Sequence, residues 1–542
     1  MKEAGTVADY VIIGGGTAGC VLANRLSADP AVQVMLIEAG PESNNVFYRM
    51  PAGFFRLMQS GAGNWNYETT PQPGLGGRTM YVPRGKVLGG SSSINGLVHI
   101  RGNAGDFDRW AQMGNPGWSY ADCLPCFRKS ERHENGPSEY HGNDGPIQVS
   151  AGPALETMSP AARAIVDAAA QAGHPYNPDQ NGATQEGFGP ASGTFGDGVR
   201  QSAYHAYLRP AKARPNLTVI TGAQISRIVV DGGKARAVEL RRGRSVRRIE
   251  ADKEVILSAG AIHSPQILQL SGIGDPALLS NHGIEVVQPL RAVGENLTDH
   301  LAVTVQEAIT QPWSALAYVQ PLAAAKALLQ YALFKSGPTL SNGLEAMGFV
   351  RSRPDLAYPD IQYHLPLLMY SDHGRQIVQR EGFMFHATAC QPESRGSVRI
   401  RSANIADAPA IDPNYLSTEE DMRVLRVAIR IARDIIAQPA LADLRAEELG
   451  PGLACQSDAE LDDYIRRTAI SVYHHVGTCR MGTGEDSVVD AALRVHGIEG
   501  LRVVDASIMP RVVTGNTNAA TLMIAEKASD MILGHSSTGE DQ

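Results

Sequence analysis

The apolar run Asp9-Tyr-Val-Ile-Ile13 leads directly into Gly14-Gly-Gly16-Thr17-Ala18-Gly19. Apolar residues at helical spacing follow from Cys20 to Leu26, and a second apolar run, Gln33 to Ile37, ends at Glu38. Strand, glycine turn, helix, strand and acid in that order begin a βαβ unit that holds a dinucleotide. Gly14 permits the tight turn, Gly16 lets the backbone approach a pyrophosphate, and Gly19 lets the helix pack closely on the strand. The helix N-terminus offers free N–H groups and the positive end of its dipole to the phosphates. Glu38 stands where a carboxylate accepts hydrogen bonds from ribose hydroxyls. This unit suits NAD and FAD equally.

Composition narrows the partners. The 542 residues carry 48 Lys+Arg and 56 Asp+Glu, a net charge of −8. That balance excludes a nucleic-acid partner, whose phosphates require concentrated positive charge. The basic cluster Arg241 to Arg248 reads as an exposed hairpin. Six cysteines are too few for a disulfide framework in a chain of this length. Cys123-Leu-Pro-Cys126 lacks the second pair a zinc ribbon needs, and no other cluster has metal-ligand spacing, so no metal is expected. The N-terminal residues lack a signal-peptide core, and no apolar run reaches the length of a transmembrane helix. The expectation is a cytoplasmic protein without a transmembrane segment, with peripheral membrane contact left open.

Further along, Pro83 to Asn95 is rich in Gly and Ser, a backbone able to lie flat against a ligand ring. The segments 217–220 and 225–230 read as paired strands, and 254–260 as a buried strand. Helical periodicity marks 152–173, 322–334, 422–436 and 517–533. Residues 536–542 read as a flexible tail.

Four blocks then carry a resemblance: Gly14 to Gly40; Gly85-Lys-Val-Leu-Gly-Gly-Ser-Ser-Ser-Ile-Asn95; Gly260 to Gly274; and Tyr473 to Gly482 together with Val503 to Ser507 and Gly515 to Asn518. They resemble, in family order, the glucose–methanol–choline (GMC) family of FAD-dependent oxidoreductases. The stretches Asn95 to Gly102 and Gly294 to His300 are most similar to its alcohol and choline dehydrogenase branch. The resemblance implies an α/β fold. A Rossmann-like FAD-binding domain, discontinuous over 1–155, 200–300 and 470–535, would join a substrate domain of 156–199 and 301–469 built on an antiparallel sheet flanked by helices. It places FAD contacts at Gly14, Gly16, Thr17, Ala18, Gly19, Glu38, Val87, Asn95, Gly96, Leu97, Val98, Ile225, Asp505 and Ala506. Some choline oxidases attach FAD through a histidine at the position that Ile94 holds here, so FAD is expected to be noncovalent; His99 is read as structural.

Oxidising an alcohol requires a base for the hydroxyl proton and an acceptor, flavin N5, for the hydride. A base that works near neutral pH favours histidine. The family's catalytic histidine matches His474, and His475 stands where proline is usual. The partner position matches Asn516, whose amide can orient the substrate oxygen. Asn516 also precedes a helix, so simple capping is an alternative role. Glu345 is similar to a glutamate near the substrate in choline oxidases, and Tyr473 adjoins the base. The apolar surroundings favour an uncharged primary alcohol, with electrons passing to a quinone-type acceptor or to oxygen. The alternatives are choline dehydrogenase or oxidase activity, an FAD-containing hydroxynitrile lyase, or light-driven decarboxylation at Cys390.

Overall fold

The computed structural model describes residues 7–42, 45–243 and 245–535; the tail 536–542 lies outside them. Two seven-stranded sheets organise the chain. The first starts with Val7–Ile13, whose last four residues are all buried, as a strand covered on both faces must be. Val34–Glu38 and Ser245–Leu257 flank it in parallel, and Leu217–Thr221 and Leu501–Val503 extend the parallel array. Ser245–Leu257 serves two sets of partners. Its C-terminal half lies beside Val7–Ile13, and its N-terminal half forms an antiparallel meander with Lys234–Arg242 and Gln224–Asp231. The described residues of the basic cluster are exposed at this turn.

The expected pairing of 217–220 with 225–230 is not found. Leu217–Thr221 joins Val34–Glu38, and Gln224–Asp231 joins Lys234–Arg242, so the two lie at opposite ends of the strand order. The cause is local. The N–H groups of Gly222 and Ala223 donate to the carbonyls of Gly40 and Glu38, which prolongs the parallel ladder instead of closing a hairpin.

The second sheet is antiparallel throughout. Its order is Arg445–Gly450, Leu301–Ile309, Gly382–Ala389, Ile361–His364, Ala346–Val350 and Gly187–Pro190, with Ile470–Ser471 against Leu301–Ile309. Period-two alternation sends Ile361, Tyr363, Phe383 and Phe385 into a core with the helices Pro160–Gln171, Glu419–Ala437 and Asp458–Thr468. Gln362, His364 and His386 therefore belong to the opposite face, where His364 pairs in register with His386 and Gln362 with Thr388. The helix Glu419–Ala437 starts at the Thr418 cap, with three acids in its first turn against the dipole. It buries Met422, Leu425, Ile429, Ala432 and Ile436 on one stripe.

The C-terminal helix Thr517–Leu533 returns to the first helix, Thr17–Leu26. Buried Glu526 accepts two hydrogen bonds from Arg25 (2.8 and 2.7 Å) and one from the Tyr207 hydroxyl (2.7 Å). Removing one partner of a buried pair costs about 3–5 kcal/mol. Thr17 Oγ1 donates to Asn518 Oδ1 at 2.9 Å, so the turn bearing Asn516 is tied to the glycine motif.

Gly19 carries the tightest requirement in that motif, because a Cβ there would lie 1.9 Å from the Gly14 carbonyl oxygen. Overpacking of this kind costs about 1–3 kcal/mol. Gly19→Ala should purify with less bound dinucleotide per chain and a lower thermal midpoint; loading and midpoint equal to wild type would contradict this packing.

Candidate active site

A cavity of about 1230 Å³ is lined from both sheets, above the ~300–1,000 Å³ of an ordinary small-ligand site. Gly14, Gly16, Thr17, Ala18 and Glu38 line one part; Asn95, Gly96, Leu97, Val98, Ile225, Asp505 and Ala506 continue it; Glu345, Tyr473, His474 and Asn516 line the rest. Two expected cofactor residues are not in the lining. Gly19 is buried behind the turn, and Val87 is fully buried, its backbone N close against Gly40.

The lining fits an anionic dinucleotide. Three helices begin on the cavity at Thr17, Gly260 and Thr517, and none has a side-chain cap. The starts at Thr17 and Thr517 offer uncapped N–H groups and positive dipole ends to negative charge, while the start at Gly260 is met by the Asp505 carboxylate. Glu38 is held by the N–H groups of Gly15 (2.8 Å) and Gly40 (2.7 Å), and burial pushes its carboxyl up to about 7. Asp505 accepts from Gly260 N–H (2.8 Å) and Ser264 Oγ (2.6 Å), holding the second of these helix starts. The Gly/Ser segment lies against the motif: Gly89 N–H donates to Gly15 O, and a Cβ on Gly90 would come within 2.7 Å of Gly16 Cα. Ile94 lines the cavity, whereas His99 does not; it is buried beside Glu131.

The protonation pattern at the other end follows from one carbonyl. Cys390 C=O can only accept, so His300 Nε2, 2.9 Å away, carries a proton. Burial lowers the His300 pKa to about 4, so its ring is neutral and its Nδ1 is bare. That Nδ1 accepts from His474 Nδ1–H at 2.9 Å. His474 is also neutral: burial, followed by the neighbouring His300, His364 and Arg84, holds its pKa well below the usual value. Its Nε2 is then an unprotonated lone pair, accepting from Asn516 Nδ2 at 3.1 Å. Asn516 Oδ1 in turn accepts from Gln362 Nε2 at 3.0 Å. Asn516 sits at the helix N-cap position, but its side chain makes no capping bond. The capping alternative is therefore not the role it plays.

The main chain around His474 is fixed independently. Its N–H donates to Asp299 Oδ1 at 2.7 Å, and Asp299 Oδ2 accepts from Ser471 Oγ (2.5 Å) and the Tyr415 hydroxyl. Tyr473 adopts a left-handed backbone (φ 68°), and its hydroxyl pairs with His373 Nδ1 at 2.6 Å. His475 is buried with neither ring nitrogen hydrogen-bonded, 3.6 Å from Asp299, and stands outside the His300–His474–Asn516 chain. Glu345 Oε2 accepts the Ser159 N–H at 2.7 Å. Cys390 is not in the lining, and burial raises its thiol pKa.

Sequence reasoning missed His300, His364, Gln362 and Asp299 as members of the site. The first and last adjoin in Gly294 to His300, and Gln362 and His364 alternate on one strand, so the signals were a polar pair after a loop and two polar residues at period two. The structure also brings together Glu131, His133 and His141, whose donor atoms lie within 4.8 Å. Cationic groups already occupy that cluster. Arg101 pairs with Glu131, and His141 lies between Glu131 (3.1 Å) and Asp179 (2.9 Å), which raise its pKa to about 9 against burial.

GMC oxidoreductase family models match residues 8–302 and 392–525. The chain is 46% identical to the mitochondrial choline dehydrogenase of Mus musculus over 535 residues, covering 97% of this chain and 89% of the mouse protein. It is 47% identical over 532 residues to the oxygen-dependent choline dehydrogenase of Escherichia coli K12, covering 97% and 95%. Among solved structures, pyridoxine 4-oxidase from Mesorbium loti superposes with a TM-score of 0.88 at 34% identity, covering 98% of this chain and 100% of that one.

The buried neutral histidines link stability to pH. Folding lowers the pKa of His99, His263, His300, His364, His373 and His475 to about 4, of His386 to about 3, and holds that of His474 well below its usual value. The unfolded chain binds protons at these sites near pH 6.5 and the folded chain does not, so acid destabilises. Glu38, Glu307 and Asp106, raised to about 7, 7 and 6, and His141, raised to about 9, oppose this but are fewer. The thermal midpoint should fall on acidification from about pH 7 to about pH 5; a rise over that window would contradict the neutral-histidine assignment.

Proposed function

This chain belongs to the GMC oxidoreductase family, FAD-dependent enzymes acting on CH–OH donors, and on that premise we propose that it oxidises a primary alcohol to an aldehyde with His474 as the base. The observation that carries the reading is the bare Nε2 of His474, aimed at Asn516 on the cavity wall.

A substrate hydroxyl that takes the place of the direct Asn516–His474 hydrogen bond donates its proton to His474 Nε2 and accepts from Asn516 Nδ2–H. Gln362 holds the Asn516 amide in the donating orientation. The Nδ1–H bond to His300 keeps the His474 ring from turning its protonated nitrogen to the substrate. FAD, when bound, supplies the two-electron oxidant that takes the hydride from the carbinol carbon. Burial disfavours imidazolium at His474, so the ring takes the proton only as the hydride departs, when the hydroxyl becomes strongly acidic and the product aldehyde is left uncharged. Ile94 in the wall offers no nucleophile, which supports noncovalent FAD. The sheet and core partition supports the division into an FAD-binding part (1–155, 200–300, 470–535) and a substrate part (156–199, 301–469). Electrons then pass to a quinone-type acceptor or to oxygen.

The lining near Glu345 includes Leu344, Pro366, Leu367 and Leu368, which supports an uncharged aliphatic or aromatic alcohol. A second reading, choline, is favoured by the Glu345 carboxylate on the cavity wall and by the choline dehydrogenase relatives.

Anaerobic mixing with a panel of alcohols tests both. His474→Ala should keep its yellow colour and lose about 10²–10⁴ in the rate of flavin bleaching, and Asn516→Ala about tenfold. Bleaching of the His474→Ala variant at the wild-type rate would refute the base assignment. If choline is the substrate, Glu345→Gln raises its KM about tenfold and leaves that of benzyl alcohol unchanged; unchanged KM for both removes the choline reading.

A further inference from the structure

Residues 308–344 contain no Asp or Glu, in a chain with 56 acids. Their two charged residues, Lys326 and Lys335, are both cations. Within this stretch the helix Pro321–Phe334 buries only Ala327 and Tyr331, one turn apart, and the Tyr331 hydroxyl donates to Gly198 O at 2.9 Å. Its opposite side is open: Leu322 is 88% exposed, Leu329 59% and Leu333 64%, and Phe334 at the C-terminal end is 72% exposed. The preceding segment adds exposed Trp313 and Tyr318.

A helix whose exposed side is mainly leucine calls for a covering surface, protein or lipid. Here only a narrow strip meets the protein, and the exposed leucines on the other side are apolar surface of the kind that marks a contact site. At 14 residues the helix is about 21 Å long, and among the described residues no helix is long and apolar enough to cross a membrane. Its geometry suits lying in an interface, with Trp and Tyr at headgroup level.

Charge and position indicate what covers the patch. The nearby acid Glu381 accepts from Ser314 Oγ (2.5 Å) and N–H (3.0 Å). Within the stretch itself the only charges are Lys326 and Lys335, the Lys335 ammonium lying 4.1 Å from the centroid of the Tyr331 ring. Fields in cellular salt reach about 8 Å, so this local positive charge, and not the overall −8, meets an approaching surface. Two copies meeting through this patch would oppose lysine to lysine, whereas anionic headgroups complement them. The patch also frames the cavity: exposed Trp313, Tyr318, Val319 and Ala325 line the same space as His474.

We propose that the face formed by Trp313, Tyr318, Leu322, Leu329, Leu333 and Phe334 seats on an anionic lipid bilayer, with Lys326 and Lys335 at headgroup level and the cavity opening toward the acyl chains. Apolar reactants dissolved in the bilayer then enter the cavity without crossing bulk water. The docking stands without the alcohol-oxidation reading.

Flotation of the full-length holoenzyme with vesicles tests it. Wild type should float with phosphatidylcholine–phosphatidylglycerol vesicles and bind pure phosphatidylcholine about tenfold more weakly. Leu322→Glu/Leu329→Glu/Leu333→Glu changes only exposed side chains outside the cavity lining. It should stay at the bottom of the gradient while retaining wild-type flavin content and thermal midpoint. Lys326→Glu/Lys335→Glu should float equally with the two lipid mixtures. Wild type remaining at the bottom with both vesicles, or the triple variant floating like wild type, would overturn the proposal. So would light scattering that shows a wild-type dimer made monomeric by the triple variant with neither form floating, which would assign the face to a second copy.

Discussion

The hydrogen bond from His300 to the Cys390 carbonyl sets the direction of the protons along the His300–His474–Asn516 chain. A carbonyl cannot donate, so it selects one tautomer of His300, which selects one tautomer of His474, which leaves Nε2 as a lone pair. The Asn516 amide and Gln362 then have one arrangement that satisfies both. Burial is what lets this propagate. In water each ring would titrate and turn freely; here each is neutral and held.

The fold supplies both halves of this constraint. The antiparallel sheet contributes Gln362 and His364 on the face opposite its packed core, because side chains alternate along a strand. The parallel sheet contributes the glycine turn and the uncapped start of the first helix. The C-terminal helix joins the two. It packs on Thr17–Leu26 through buried Glu526 and presents Asn516 at its open end to the antiparallel sheet. One helix therefore sets the spacing between the nucleotide end of the cavity and the histidine end.

Much of this was legible in the sequence, for physical reasons. The glycine motif, Glu38 and the C-terminal helix, expected over 517–533 and found as Thr517–Leu533, depend on local spacing, which a sequence displays. His474 and Asn516 were identified through a family resemblance, and the cavity holds both. What depended on distant pairing was less readable. Leu217–Thr221 and Gln224–Asp231 look like a hairpin because the residues between them are turn-like, but Gly40 and Glu38 claim those N–H groups. Val87 is a cofactor contact by the family resemblance, and it is buried outside the cavity lining. His300 lies 174 positions from His474, and no local pattern announces that their rings meet.

The central claim is the tautomer of one imidazole. Nitrogen NMR of the histidine-labelled holoenzyme, with the His474 signals assigned by their loss in His474→Ala, measures it directly. The account requires a neutral ring at neutral pH with the proton on Nδ1 and Nε2 bare. A proton on Nε2, or on both nitrogens, would contradict it.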